Sequence, residues 1–131
     1  MARRDDDALA AEWHQLMGRY ARLMCVLDRE LGAEHGLSAS EFEVLQQLED
    51  AEECSLRMAT LAEGVHLSQS ALSRLVTRLE GDGLVARKAC DQDRRSLFVA
   101  LTDDGRARYA AARPTQRRVL REEGAGGLTT V

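Results

Sequence analysis

Gln69, Ser70, Ser73, Arg74, Thr77 and Arg78 fall on one side of a short stretch whose other side carries Leu72, Leu75, Val76 and Leu79 at i, i+3, i+4 and i+7. Short hydroxyls, a carboxamide and guanidiniums are the side chains that reach phosphate oxygens and base edges in a major groove. Ser68 precedes them with the chemistry of a helix N-cap. The helix it starts would present free backbone N–H groups, which favour a nearby anion such as a phosphate. A second cationic group follows at Asp93-Arg94-Arg95, in a polar run from Asp91 to Arg95.

Such residues need elements that hold them toward a partner. Met58 to Glu63 has the length of a short helix, and Gly64-Val65-His66-Leu67 is a compact turn before Ser68, so the two helices form a helix-turn-helix. Gly81 and Gly83 end the second helix. Leu84 to Cys90 reads as a strand, the polar run as a hairpin tip, and Ser96 to Leu101 as the returning strand. The arrangement predicts a winged helix-turn-helix, mainly α with a small β-hairpin (α+β). Leu56 is placed to add a short third strand.

Leu61-Ala62, Leu67-Ser68, Leu75-Val76-Thr77-Arg78-Leu79-Glu80, Gly83-Leu84-Val85-Ala86-Arg87, Asp93-Arg94-Arg95 and Leu101-Thr102-Asp103-Asp104-Gly105 occur in one order. Together they resemble the MarR family of bacterial transcriptional regulators over roughly residues 10 to 120. The resemblance implies a dimeric winged-helix protein that binds double-stranded DNA, its operator affinity often altered by a small-molecule effector, a metal or an oxidant. It also implies that Arg95 enters the minor groove with Asp93 orienting its guanidinium, while Arg94 meets phosphate. Family members continue into a C-terminal helix that interlocks with the partner's N-terminal helix. Residues 124–131 carry Gly124, Gly126 and Gly127 and no helical repeat, so the C-terminal helical dimerisation region is expected to be truncated.

The 131 residues allow one globular unit, and with 44% hydrophobic and 4% aromatic residues its core must be mostly Leu, Val, Ala and Met. No run approaches the roughly 18 apolar residues of a membrane span, and no signal-peptide pattern opens the chain, so a cytoplasmic protein is expected. The net charge of −4 is unevenly spread: residues 1–67 carry 6 basic and 14 acidic groups, residues 68–98 carry 6 and 4, and residues 99–131 carry 6 and 4. The stretch with the candidate DNA contacts is locally basic, as expected if one face meets phosphate.

Met1 to Asp7 is a charged leader expected to fray. Leu9, Trp13, Leu16, Met17, Tyr20, Leu23, Met24, Leu27 and Leu31 then mark one long amphipathic helix, on the order of 35 Å. Part of that stripe needs another surface, either the domain's own helices or a second subunit, and the expected cover is a two-fold dimer held by Leu9, Trp13, Leu16 and Tyr20 with Val119 and Leu120. Gly32 and Gly36 close the helix. Ser38 to Glu41 has capping-box spacing before a helix from Ser40 to about Glu49 that buries Phe42, Leu45 and Leu48. Asp50 to Cys54 is an acidic loop. Thr102 caps a last helix running to about Arg113, where Pro114 kinks it or starts a new segment. Residues 1–35 and 102–131 are thus assigned to dimerisation and residues 36–101 to DNA binding.

Cys25, Cys54 and Cys90 are far apart and odd in number, and His14, His35 and His66 are isolated. Free thiols fit better than a disulfide framework or a zinc site, and no metal or cofactor is expected. A redox- or metal-sensing regulator of the same fold is the alternative those residues leave open. No P-loop, dinucleotide turn, nucleophile elbow or metalloprotease motif is present, so an enzyme is not expected. A helical protein-interaction adaptor would need neither Asp93-Arg94-Arg95 nor a polar, cationic face on the second helix.

Overall fold

The computed structural model describes residues 5–89 and 97–124. Five helices and three short strands follow in the order α1 (Asp6–His35), α2 (Ala39–Asp50), β1 (Ser55–Arg57), α3 (Met58–Val65), α4 (Gln69–Gly81), β2 (Val85–Ala89), β3 (Leu97–Leu101) and α5 (Asp103–Glu123). The strands form one antiparallel sheet in the order β1-β3-β2, with Leu56 opposite Val99 and Arg87 opposite Val99 from the other side. Among the described residues, no helix is long and apolar enough to cross a membrane.

Local chemistry sets most boundaries. In α2 the capping box is complete: Glu41 N–H donates to Ser38 Oγ at 3.0 Å and Ser38 N–H to Glu41 Oε1 at 2.8 Å. Phe42, Leu45 and Leu48 then point into the core, and Phe42 stacks on Tyr109 of α5 at 5.3 Å between centroids. Gly105 permits the start of α5, because a Cβ there would lie 2.0 Å from the Leu84 carbonyl oxygen. Thr102 fastens the same corner, accepting from Gly105 N–H at 3.0 Å and donating to the Gly83 carbonyl at 2.7 Å. The acidic loop after α2 holds a single 3-10 turn, Glu52–Cys54, that feeds β1.

Several boundaries differ from the sequence expectation. Asp6 and Asp7, expected in a frayed leader, belong to α1, which Asp5 caps by accepting from Asp7 N–H at 3.1 Å, and residues 1–4 lie outside the described residues. Gly32 does not close α1, which runs on to Gly36 in the left-handed region. Burial of Leu27 and Leu31 outweighs the roughly 1 kcal/mol that an interior glycine costs. Likewise α3 passes through Gly64, whose missing Cβ would otherwise sit 2.9 Å from Gln47 Oε1 of α2, and only His66 and Leu67 are left as turn. Strand β2 begins at Val85, one residue after the expected Leu84, and β3 runs to Leu101 as expected, while the expected strand ends Cys90 and Ser96 lie outside the described residues.

Helix α5 does not stop at Arg113 but continues through Pro114 to Glu123. The ring removes one backbone N–H, yet the next turn is held to α1 and α2 by side chains. Thr115 Oγ1 lies 2.7 Å from Glu34 Oε2 and 2.9 Å from His35 Nε2, and Arg117 Nη1 donates to Gln46 Oε1 at 2.8 Å. Ala112, Val119 and the buried Thr115 and Gln116 complete that contact.

Candidate nucleic-acid interface

The turn between α3 and α4 is made by His66 at φ 59°, ψ 41°, whose N–H bonds back to the last turn of α3, and by Leu67 N–H donating to the Ala62 carbonyl at 3.0 Å. Ser68 then caps α4, accepting from Ala71 N–H at 3.1 Å. Leu72, Val76 and Leu79 are fully buried, while Leu75 is half-buried at the edge of that face. The opposite side is presented outward: Ser68, Gln69, Ser70, Arg74, Thr77 and Arg78 are exposed and Ser73 is half-buried. Gln69, Arg74 and Arg78 are engaged by no hydrogen bond or ion pair among the described residues. A helix with its apolar side sunk in the core and a row of uncommitted guanidiniums and an amide facing solvent beside exposed hydroxyls has the chemistry to enter a major groove.

Two members of the row are not free. Arg87 of β2 reaches across, its Nη2 donating to the Ser73 carbonyl at 2.9 Å, to Ser73 Oγ at 3.2 Å and to Thr77 Oγ1 at 3.1 Å. Its Nη1 pairs with Glu80 Oε1 at 3.2 Å, and its backbone N–H donates to Glu80 Oε2 at 3.1 Å. Ser73 and Thr77, expected to face DNA, are therefore partly spent within the chain. Neither Arg87 nor Glu80 was singled out from the sequence. Their opposite charges on either side of the Gly81–Gly83 turn were the available signal.

The wing residues Asp93, Arg94 and Arg95 lie outside the described residues. At the base of the wing, the Arg57 guanidinium sits 5.1 Å from the centre of the Phe98 ring.

The expected dimer residues separate into two groups. Leu9, Trp13, Leu16 and Tyr20 remain exposed, Trp13 by 60% and Tyr20 by 64%. Val119 departs from the expectation: it is buried in the chain's own core, because the extended α5 packs it there. Leu120 is half-buried and borders a cavity of about 670 Å³ between α1, α2, the α3–α4 turn and α5. Met24, Glu43, Gln47 and His66 line it too. Burial pushes the Glu43 carboxyl above its ordinary value, against the attraction of Arg117 and His66, with Asp50 adding to the rise.

Cys25 is exposed, and Cys54 is half-buried with Arg106 Nη2 donating to its Sγ at 2.9 Å. Cys90 lies outside the described residues. Among the described residues, no three His, Cys, Asp or Glu side chains come together to hold a metal.

Residues 37–97 match the MarR family. A Bacillus cereus HTH-type transcriptional regulator is 32% identical over 113 residues, which is 86% of this chain and 73% of that protein. The chain belongs to the MarR family. YdgJ of Bacillus subtilis, an HTH-type transcriptional regulator, is 33% identical over 87 residues, and that match spans 66% of this chain but only about half, 52%, of YdgJ. Sco3205, a MarR family transcriptional regulator from Streptomyces coelicolor solved in complex with DNA, superposes with a TM-score of 0.86 at 29% identity, covering 98% of this chain and 81% of that one. The helix-turn-helix and the sheet behind it are thus the family's winged helix, and its relatives are regulators of transcription, not enzymes.

Proposed function

We propose that this chain is a sequence-specific DNA-binding transcriptional regulator that acts as a repressor, two copies gripping a pseudo-palindromic operator. The observation that carries the reading is the outward row on α4: an N-capped helix with its apolar side in the core, Gln69, Arg74 and Arg78 uncommitted among the described residues, and Ser70 exposed beside them. Helix α4 reads the major groove, and the wing, through Arg94 and Arg95 with Asp93 behind them, takes the adjacent backbone and minor groove. The likeness to Sco3205, itself solved with DNA, supports that placement.

Two-fold pairing rests on α1, whose exposed Leu9, Trp13, Leu16 and Tyr20 form a stripe that a second copy would cover. Residues 1–35 and 102–131 then serve pairing and residues 36–101 serve DNA, in the cytoplasm. The cavity under α1 has the size of a small-molecule site, apolar along Leu23, Met24, Leu27 and Leu120 with Glu43 and Gln47 as its polar end. An effector seated there would press on Gly64 to Leu67, the turn that sets α4.

The test is selection of bound duplexes from a random pool, then a salt titration on the enriched sequence. Enrichment of a two-fold-related site and a log K that falls linearly with log salt, about 0.9 per phosphate neutralised, are expected. A pool that enriches nothing over a scrambled duplex would remove the reading.

A further inference from the structure

Arg87, half-buried on β2, makes four side-chain hydrogen bonds to α4. From β2 its guanidinium lies against α4 and meets Ser73 and Thr77 one turn apart, while Glu80 holds it from the far side through both the side chain and the backbone N–H. Thr77 Oγ1 also donates to the Ser73 carbonyl at 2.9 Å, so its single hydrogen is committed and one of its lone pairs faces Arg87. A planar fork spanning four acceptor atoms on three residues fixes an angle in a way that a flexible ammonium does not.

From this geometry we infer that Arg87 and Glu80 form a strut that locks the wing to the recognition helix and selects which α4 residues read bases. The inference rests on the reading of α4 as the DNA-reading helix. With Ser73 and Thr77 spent on the strut, sequence discrimination falls to Gln69, Ser70, Arg74 and Arg78, which lie along the same outward row without partners of their own apart from the weak Ser68–Ser70 hydroxyl contact at 3.3 Å. Glu80 has the second task of neutralising Arg87, so that the guanidinium stays on the helix instead of moving to a phosphate. Arg87 is accordingly a positioning residue: it acts on DNA through α4 and β2.

The full chain, Arg87→Met, Arg87→Lys, Thr77→Val and the double variant Arg87→Met/Thr77→Val decide this, using the duplex enriched by the parent and a scrambled one. Arg87→Met should lower the ratio of specific to scrambled affinity about tenfold, within the range of coupled side-chain networks, with the slope of log K against log salt unchanged. Amide exchange should rise in β2 and from Ser73 to Gly81 together. Arg87→Lys keeps the charge and loses the fork, so it should keep the parent's melting temperature and still show the lowered ratio. Thr77→Val should add nothing to Arg87→Met.

Unchanged exchange in α4 and β2 overturns the strut whatever happens on DNA. An equal loss on both duplexes with the salt slope reduced by about one makes Arg87 a phosphate contact and also overturns it. Additive losses for Thr77→Val and Arg87→Met would mean that Thr77 reads bases, contrary to the inference. If the parent enriches no duplex, the reading of α4 fails separately, and the exchange data still judge the strut.

Discussion

Along α4, Leu72, Val76 and Leu79 have no exposure, whereas along the first half of α1 Leu9, Trp13, Leu16, Met17 and Tyr20 keep between 39% and 64% of theirs. Both helices carry the same repeat of apolar positions. In α4 the covering surface is the chain's own sheet and α3, reached through turns of a few residues. The second half of α1 is covered by the chain itself, with Leu27 and Leu31 buried in the common core where α1 packs chiefly along α5 and also meets α2. Among the described residues, nothing covers the apolar positions of the first half of α1 to that degree. A helix of 30 residues is about 45 Å long. An apolar stripe therefore states that a cover is needed and does not state whose.

The largest effect should follow from breaking the self-covered face. Leu79→Ala removes a fully buried side chain and should cost about 2 to 5 kcal/mol of stability, seen as a lowered urea midpoint. Leu75 is the weaker choice because it is only half-buried. A parent-like midpoint for Leu79→Ala would mean that α4 does not rest on the core. On α1 the same kind of insult should act differently. Leu16→Glu should leave folding nearly intact but shift the mass in light scattering from two subunits to one, and weaken operator binding roughly 10²-fold at nanomolar protein, where uncoupled half-sites lose their joint gain. Should the parent already scatter as one subunit at every concentration, the cover of α1 is not a second copy.

The polar row of α4 gives the next contrast. Arg74→Ala should weaken operator binding by about 1 to 3 kcal/mol, the range for a base contact, with the urea midpoint unchanged. Arg95→Ala in the wing should do the same through a narrow groove whose potential attracts the guanidinium. Gel-shifts at fixed salt that find parent affinity for both would leave α4 and the wing as scaffold.

What could be read from the sequence follows the same division. The Ser38–Glu41 box, the Ser68 cap, the apolar faces of α2 and α4 and the third strand at Leu56 depend on residues a few positions apart, and all stand in the fold. Gly32, Gly64 and Pro114 were misjudged as breaks for one reason: each carries a local cost that packing from another element overrides. The bond from Arg87 to Ser73 spans fourteen residues across a turn, and that from Thr115 to Glu34 spans 81, so no local pattern announces either. Val119 shows the limit from the other side. Its stripe position fitted a partner contact, and only the run of α5 past Pro114 places it inside.

Glu43 sits where the two regions meet, under α1 and above the α3–α4 turn, and it gives the smallest and most particular expectation. Burial favours its neutral form, Arg117 and His66 favour the charged form, and Asp50 opposes charge; the balance raises its pKa above the ordinary 4.5. A carboxyl whose folded pKa lies above its unfolded value contributes stability that is fully present below the unfolded value and lost as pH rises through the folded one. The ionised parent is therefore slightly strained at neutral pH, an effect kept small because the side chain is only half-buried and water screens it. Glu43→Gln removes the titration, so its stability relative to the parent should be higher at pH 7 than at pH 4, the change setting in as pH rises above the ordinary 4.5. Urea midpoints of both proteins at the two pH values measure it. If a second copy covers Tyr20 and the mouth of the cavity, burial deepens and the difference should grow with protein concentration. A difference independent of pH would mean that Glu43 is solvated in the folded chain, and the boundary between the covered and uncovered halves of α1 would then lie closer to Leu27 than to Tyr20.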